Sequence, residues 1–418
     1  MKNGALLYLL ISGVFLGGIL AVLNSENSPV SLFQVILIFS FLIFVGYKIF
    51  SDDFQIYYND YAIPLIIFSG LIFLSLIYSE DRTNGFFNGI RFLVLLLFVG
   101  LITNLVISQK QILKGLILGS LICIALSMVS VAESLFNPQT VIQNFLSQGA
   151  SITRSAAGGI YTDPNRFAAS LFLPLSFGFA VMNSRLDMKY RVVGGFIFLA
   201  ILGGIITSYS RSGFLAVVVI CALCIYFFRR FKPFLILGLI AIVIVFAIPS
   251  LRLTMFSYSE RIISLLSGIG DASSGIRVLL GLASIKMFID SYGLGIGFDA
   301  FGNHFTDYYS PQQTIGVIEP HNITYTILSE LGMQGFFIFG VIVFFLFRDA
   351  FGNIKKSDST IDKIISVTLF SSFCGYVLFY QFYGGGLFDS ILMLNIGLIL
   401  AHKKLLSGWD FSMDPKTA

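Results

Sequence analysis

The sequence predicts an all-α polytopic membrane protein, and three observations carry that reading. The first is balance: 56% of the 418 residues are hydrophobic, only 11% are charged, and mean hydropathy is +0.89. A soluble domain carries about 25% charged residues, and a disordered chain needs low hydrophobicity, so both classes are excluded. The second is run length. A spanning helix needs about 20 mostly apolar residues, and runs of that size recur along the chain. A membrane barrel would show alternating segments of about 10 residues instead. The third is the placement of basic residues, which alternates between short loops.

Twelve transmembrane helices are predicted in order: 4–23, 31–50, 62–79, 91–107, 111–133, 166–183, 192–208, 213–228, 233–250, 326–347, 362–382 and 384–402. The first begins with Lys2 and resembles a signal peptide. Its apolar stretch is long and no small-x-small cleavage site follows, so it reads as a retained helix. With the N-terminus in the cytoplasm, 17 basic residues fall inside and 9 outside, and both termini are cytoplasmic. Of those inside, 12 are lysine; of those outside, 8 are arginine. Lysine serves as an ordinary topology charge, whereas arginine grips phosphate with a planar fork. Interfacial snorkelling suits Arg82, Arg91 and Arg252, but it does not account for the bias.

The organisation follows: helices 1–5 over 1–133, an outer loop 134–165, helices 6–9 over 166–250, a large periplasmic loop subdomain 251–325 between helices 9 and 10, helices 10–12 over 326–402, and a cytoplasmic tail 403–418. Long loops on a rigid bundle are where chemistry is commonly placed. Cys123, Cys221, Cys224 and Cys374 all lie in apolar runs and read as small buried hydrophobes. Net charge is only +4 and no basic stripe appears, so no nucleic-acid partner is expected.

Five outer elements are candidates for chemistry. Asp163-Pro164-Asn165 reads as a turn into the sixth helix, with Arg166 in its first turn. A cation there opposes the helix dipole; a bound anion or a pair with Asp163 would resolve the conflict. Ser208-Tyr209-Ser210-Arg211-Ser212-Gly213 joins two spans with almost no loop. Arg211 is thereby forced to the membrane boundary, as a functional charge or as an anchor. Its small neighbours would let a ligand approach the backbone. Arg277 opens a short apolar helix, 276–289, lying at the outer surface, in contact with phosphate or with lipid headgroups. Gly293-x-Gly295-x-Gly297 lacks nucleotide-loop spacing and reads as a tight turn against the membrane.

The fifth element is Glu319-Pro320-His321-Asn322, continuing to Glu330, Gly332 and Gly335. His321 stands at the outer end of the tenth helix and is either structural or a general base. Pro320 sets the helix start. Gly332 and Gly335 form a small-x-x-small face for helix packing. Glu330 lies half a turn out of phase with His321 and needs a partner of its own.

In this order the motifs resemble the O-antigen ligase and O-antigen polymerase superfamily of bacterial envelope glycosyltransferases. The resemblance rests on Asp163-Pro164-Asn165, Ser210-Arg211-Ser212-Gly213, Arg277, the glycine turn with Phe301, and His321-Asn322 followed by Gly332 and Gly335. It spans about 150–345. It implies a glycan donor on undecaprenyl diphosphate and transfer to a lipid or glycan acceptor at the periplasmic face of the inner membrane. Arg211 and Arg277 are then expected to hold the donor diphosphate, with Arg166 and Arg154 as weaker carry-overs. His321 is expected to act as base, with Asn322 and Glu330 in support. Transfer would be direct and inverting, without metal, nucleotide or other cofactor. No Asp-x-Asp pair lies in the outer loops and the histidines lack metal-site spacing. Ligase and polymerase differ only in acceptor. A secondary transporter also fits twelve helices, but the span interiors are nearly free of acids and show no two-fold repeat.

Overall fold

The computed structural model describes residues 3–17, 32–50, 57, 62–136, 161, 163–232, 238, 246, 272–309 and 319–408. All regular elements among the described residues are helical. They are α1 (Asn3–Phe15), α2 (Leu32–Phe50), α3 (Ala62–Ser75), α4 (Arg82–Leu105), α5 (Gln109–Phe136), α6 (Pro164–Ser170) and α7 (Phe172–Asn183). They continue with α8 (Met188–Thr207), α9 (Arg211–Phe228), α10 (Ala272–Asp290), α11 (Phe301–Tyr308), α12 (Ile323–Lys355), α13 (Thr360–Phe379) and α14 (Ser390–Leu406). A 3₁₀ turn, Gly386–Phe388, precedes α14.

Eight helices among the described residues are long and apolar enough to cross a membrane: α2, α4, α5, α6 with α7, α8, α9, α12 and α13. The expected first and third spans appear as the shorter apolar helices α1 and α3. The expected ninth span, 233–250, lies outside the described residues apart from 238 and 246, as do most of the loop 134–165, positions 251–271 and 310–318 of the second loop, and the tail beyond 408. Two boundaries shift. The fourth helix starts at Arg82, because Asp81 caps it by accepting the Asn84 N–H at 3.1 Å. The sixth span is two segments joined at Leu171, with Pro174 in the first turn of the second.

Helix α7 is the centre: all twelve of its residues are buried. It is flanked by α5, α8, α9 and α13. Gly178 and Gly194 let α7 and α8 approach backbone to backbone; a Cβ on Gly178 would lie 2.8 Å from the Phe198 nitrogen. Phe172 packs against Tyr376 and Phe379, with both ring centroids 5.3 Å away. Two pairs of hydroxyls inside the bundle bond to each other: Ser176 with Ser371 at 2.8 Å, and Ser130 with Thr207 at 2.7 Å. The expected inert thiols are found: Cys221 and Cys224 are buried in α9.

One helix is broken. Gly332, inside α12, has φ 68° and ψ −164°. The predicted role of Gly332 and Gly335 in helix packing is therefore corrected at Gly332, whose missing Cβ makes room for the backbone of Gly293 and Leu294. The glycine turn is threaded into this break. Ile296 N–H donates to Ser329 O at 2.9 Å, Gly297 N–H to Glu330 O at 3.0 Å, and Met333 N–H to Gly293 O at 2.9 Å. Five residues of the turn, Tyr292, Gly293, Gly295, Gly297 and Asp299, have positive φ, a density of left-handed backbone that glycine makes accessible.

Candidate functional site

Four helices begin at one end of the bundle, and their first turns are tied together. Asp163 caps α6 by accepting the Asn165 N–H at 2.7 Å, with Pro164 as the first helical residue. Ser210 caps α9 by accepting the Gly213 N–H at 3.1 Å. The same hydroxyl donates to Asn165 Oδ1 at 2.8 Å, so the starts of α6 and α9 are joined. Asn322 caps α12 through the Tyr325 N–H at 3.0 Å. It is thus Asn322, not Pro320, that sets the start of this helix. Asp389 caps α14 through two N–H groups, of Ile391 at 2.8 Å and Leu392 at 2.6 Å.

The segment after α13 links the other starts. Asn322 Nδ2 donates to Gln381 O at 2.8 Å, Thr324 Oγ1 to Gln381 Oε1 at 2.8 Å, and Ile323 N–H to Tyr380 O at 2.9 Å. Tyr383 donates its hydroxyl to Asp163 Oδ2. Its ring lies roughly parallel to the His321 imidazole, centroids 6.3 Å apart. Burial and the Asp163 charge push the Tyr383 hydroxyl well up, so it stays a proton donor at neutral pH.

His321 lies beside Tyr383, within electrostatic range of Asp163 and Arg277. Its backbone is left-handed (φ 52°), which turns the chain sharply before α12, and its side chain is 41% exposed. Burial lowers its pKa below the usual imidazole value; the Arg277 charge lowers it further and Asp163 opposes. The imidazole is therefore neutral at pH 7 and able to accept a proton. The nearest carboxylate oxygen is Glu319 Oε1, 3.9 Å from Nδ1, beyond hydrogen-bond reach. Glu319 sits instead against Gly384 and accepts the Gly385 N–H. Burial pushes its carboxyl up, while the Arg166 charge and that N–H pull it down.

The sequence-predicted residues divide. Arg166, Arg277 and His321 share one electrostatic neighbourhood through Asp163. Arg166 is exposed, within range of Tyr383 and Asp389 as well as Asp163. Arg211 stands beside the Ser210–Asn165 bond that fastens it to the same helix ends. The small residues next to it pack rather than admit a ligand: a Cβ on Gly213 would lie 3.0 Å from the Ala168 Cβ. Asn322 is a cap. Glu330 does not support His321 directly; it is buried and accepts the N–H of Asp299 at 3.0 Å and of Phe301 at 3.4 Å, holding the glycine turn and the start of α11. Arg154 lies outside the described residues.

Tyr383, Glu319, Gln381 and Asp389 were not among the predicted site residues. The signal available was Gly384-Gly385-Gly386 at the outer end of a span, where the lack of side chains leaves room for the Glu319 carboxylate.

Beneath Ile323 and Gln381 lies an apolar cavity of about 280 Å³, bounded by α3, α4, α12, α13 and α14 and including Phe68, Phe339 and Tyr380 in its wall. Thr324, Gly386 and Leu387 also line it. Among the described residues the fold is helical, and the starts of α6, α9 and α12 lie with Arg166, Arg277 and His321 at one end of the bundle. Residues 196–340 match the family model described as O-antigen ligase, and the resemblance to the O-antigen ligase and polymerase superfamily is shown over that segment. The match covers less than half of the chain; it includes Arg211, Arg277 and His321 and leaves out Asp163, Arg166 and Tyr383. A comparison with curated proteins found no match.

Proposed function

We propose that this protein is an O-antigen ligase-type glycosyltransferase that moves a glycan from undecaprenyl diphosphate to an acceptor hydroxyl at the periplasmic face of the inner membrane. The observation that carries the reading is the joining of the starts of α6, α9 and α12 at the end of the bundle that holds His321, with the Asp389 cap of α14 in electrostatic range of Arg166. Each N-terminus presents partial positive charge, and Arg166 and Arg277 add full charges in the same place. A diphosphate leaving group gains negative charge as its bond to the sugar breaks, and fixed positive groups stabilise that charge.

The steps follow from the residues. The donor diphosphate lies against Arg166, Arg211 and Arg277, with the lipid tail beside or within the apolar wall below. The acceptor hydroxyl approaches His321, whose imidazole takes its proton as the oxygen attacks the anomeric carbon. The carbon–oxygen bond to the diphosphate breaks on the opposite side, so the configuration inverts. The lipid diphosphate leaves with the bonding pair. Tyr383 stacks on the imidazole and Asp163 anchors Tyr383, which holds the ring in place. Asn322 fixes the backbone on which His321 turns. No step requires a metal.

A polysaccharide polymerase would use the same residues with a second lipid-linked glycan as acceptor. The test is transfer by the purified, reconstituted protein given an undecaprenyl-diphosphate glycan with and without a separate lipid acceptor. Product only with the acceptor identifies a ligase, and chain growth from donor alone a polymerase. His321→Ala is expected to be inactive and a chelator harmless. Failure to bind any lipid diphosphate would sink the reading and bring a transporter forward.

A further inference from the structure

At the end of the bundle opposite His321, α8 begins and α9 ends on either side of an open groove of about 710 Å³. Its wall is one face of α8: Met188, Val192 and Phe196 follow at four-residue spacing and are 67%, 58% and 59% exposed. Gly195 forms the floor. Arg191, Arg229, Arg230 and Lys232 line the rim, and no acid lies among the described lining residues.

Two of these cations are held in place by the backbone. Arg191 Nε donates to Met182 O at 3.1 Å, and Arg230 Nη1 donates to Ser184 O at 2.9 Å. Both carbonyls belong to the end of α7, where positive charge also complements the helix dipole. Arg229 ends α9 in a left-handed conformation (φ 52°), and both it and Lys232 are exposed. Cations that merely anchor a helix need no hollow beside them. Four cations around an apolar hollow at helix ends match a ligand that is anionic at one end and apolar at the other.

We propose that this groove binds an anionic phospholipid. The headgroup phosphate sits between Arg229 and Lys232, within reach of the remaining donors of Arg191 and Arg230, and an acyl chain lies along Met188, Val192 and Phe196. A zwitterionic headgroup would bring its own cation into the ring, and a free anion would leave the apolar wall uncovered. The proposal does not depend on the transfer reaction above.

The test uses the full-length protein in neutral detergent, titrated with phosphatidylglycerol, phosphatidylcholine or inorganic phosphate and read by native mass spectrometry. Phosphatidylglycerol is expected to be retained about tenfold or more over phosphatidylcholine. The double variant Arg229→Gln/Lys232→Gln is expected to lose about 25-fold in affinity, from roughly fivefold per basic residue near a membrane surface. Gly195→Leu keeps every charge but fills the floor, where a Cβ would meet only Met182, at 3.6 Å and beyond, and it too is expected to lose the lipid. Equal retention of both lipids would overturn the proposal. So would wild-type retention by both variants. Displacement of phosphatidylglycerol by inorganic phosphate at equal concentration would also reject it, leaving an anion site without acyl recognition.

Discussion

His402 and His321 sit at opposite ends of the bundle in surroundings of different kinds. His402 is fully buried on α14 and shares a 2.8 Å hydrogen bond with Ser366. Near it, Lys403 and Lys404 of α14 reach acceptors on neighbouring elements. Asp349 receives Lys403 Nζ at 2.7 Å and Arg348 Nη2 at 3.1 Å. Lys404 Nζ donates to Thr103 O at 2.6 Å and Val106 O at 2.7 Å, closing the end of α4. His321, by contrast, is 41% exposed, has left-handed backbone, and stands 3.9 Å from its nearest carboxylate oxygen. Arg166 beside it is exposed. Polar groups at the first end hold helices together. Those at the second also join helix starts, but they leave the His321 imidazole partly exposed and without a carboxylate in hydrogen-bond reach.

Exchanging the two histidines for alanine tests that contrast most directly. His321→Ala is expected to lower transfer about 10²–10⁴-fold, the usual contribution of a general base, with thermal stability unchanged. His402→Ala is expected to do the reverse: a lower melting temperature in detergent, with activity per folded molecule retained. Comparable activity losses in the two variants would erase the distinction.

Glu330 belongs to neither end, yet it couples the outer turn to the bundle. Glu330→Ala deprives two N–H groups of their acceptor, at about 1–3 kcal/mol for each that stays buried and unpaired. Hydrogen exchange over 293–301 is expected to accelerate, while the Lys404 end stays protected. Gly332→Ala should act similarly, since its φ of 68° is costly for a residue with a Cβ.

The pH profile offers a subtler separation. A base must be neutral, so activity falls as pH drops through the lowered His321 pKa, and the acid limb lies below the ordinary histidine range, about 6.5. Arg277→Ala removes a charge that depresses this pKa, and the limb should move to higher pH. Asp163→Asn removes a charge that raises it, and the limb should move lower. Shifts of the same sign in both variants would contradict the geometry. The smallest effect is expected for Arg348→Ala: the side chain is 45% exposed and Asp349 keeps Lys403, so stability should change by about 0–1 kcal/mol.

Much of this was legible in the chain, for identifiable reasons. Long apolar runs specify spanning helices, because hydrocarbon demands internal hydrogen bonding of the backbone. Asp163-Pro164 announced the start of α6 because capping is local chemistry. Arg166, Arg211, Arg277 and His321 stood out because charge at a membrane boundary is costly without a purpose. Tyr383 did not stand out. Its bond to Asp163 crosses 220 residues, and no local pattern reports a contact of that span. Glu330 was legible as a buried acid in need of a partner, but not as the acceptor for a turn about thirty residues earlier.

Hydropathy, the excess of outer arginines and the order of the motifs were properties of the sequence, since each depends on composition or on neighbours a few positions apart. The break at Gly332, the threading of the glycine turn into it, and the joining of the starts of α6, α9 and α12 at the His321 end belong to the tertiary structure. Each requires backbone groups distant in sequence to satisfy one another, and only packing decides which donor reaches which acceptor.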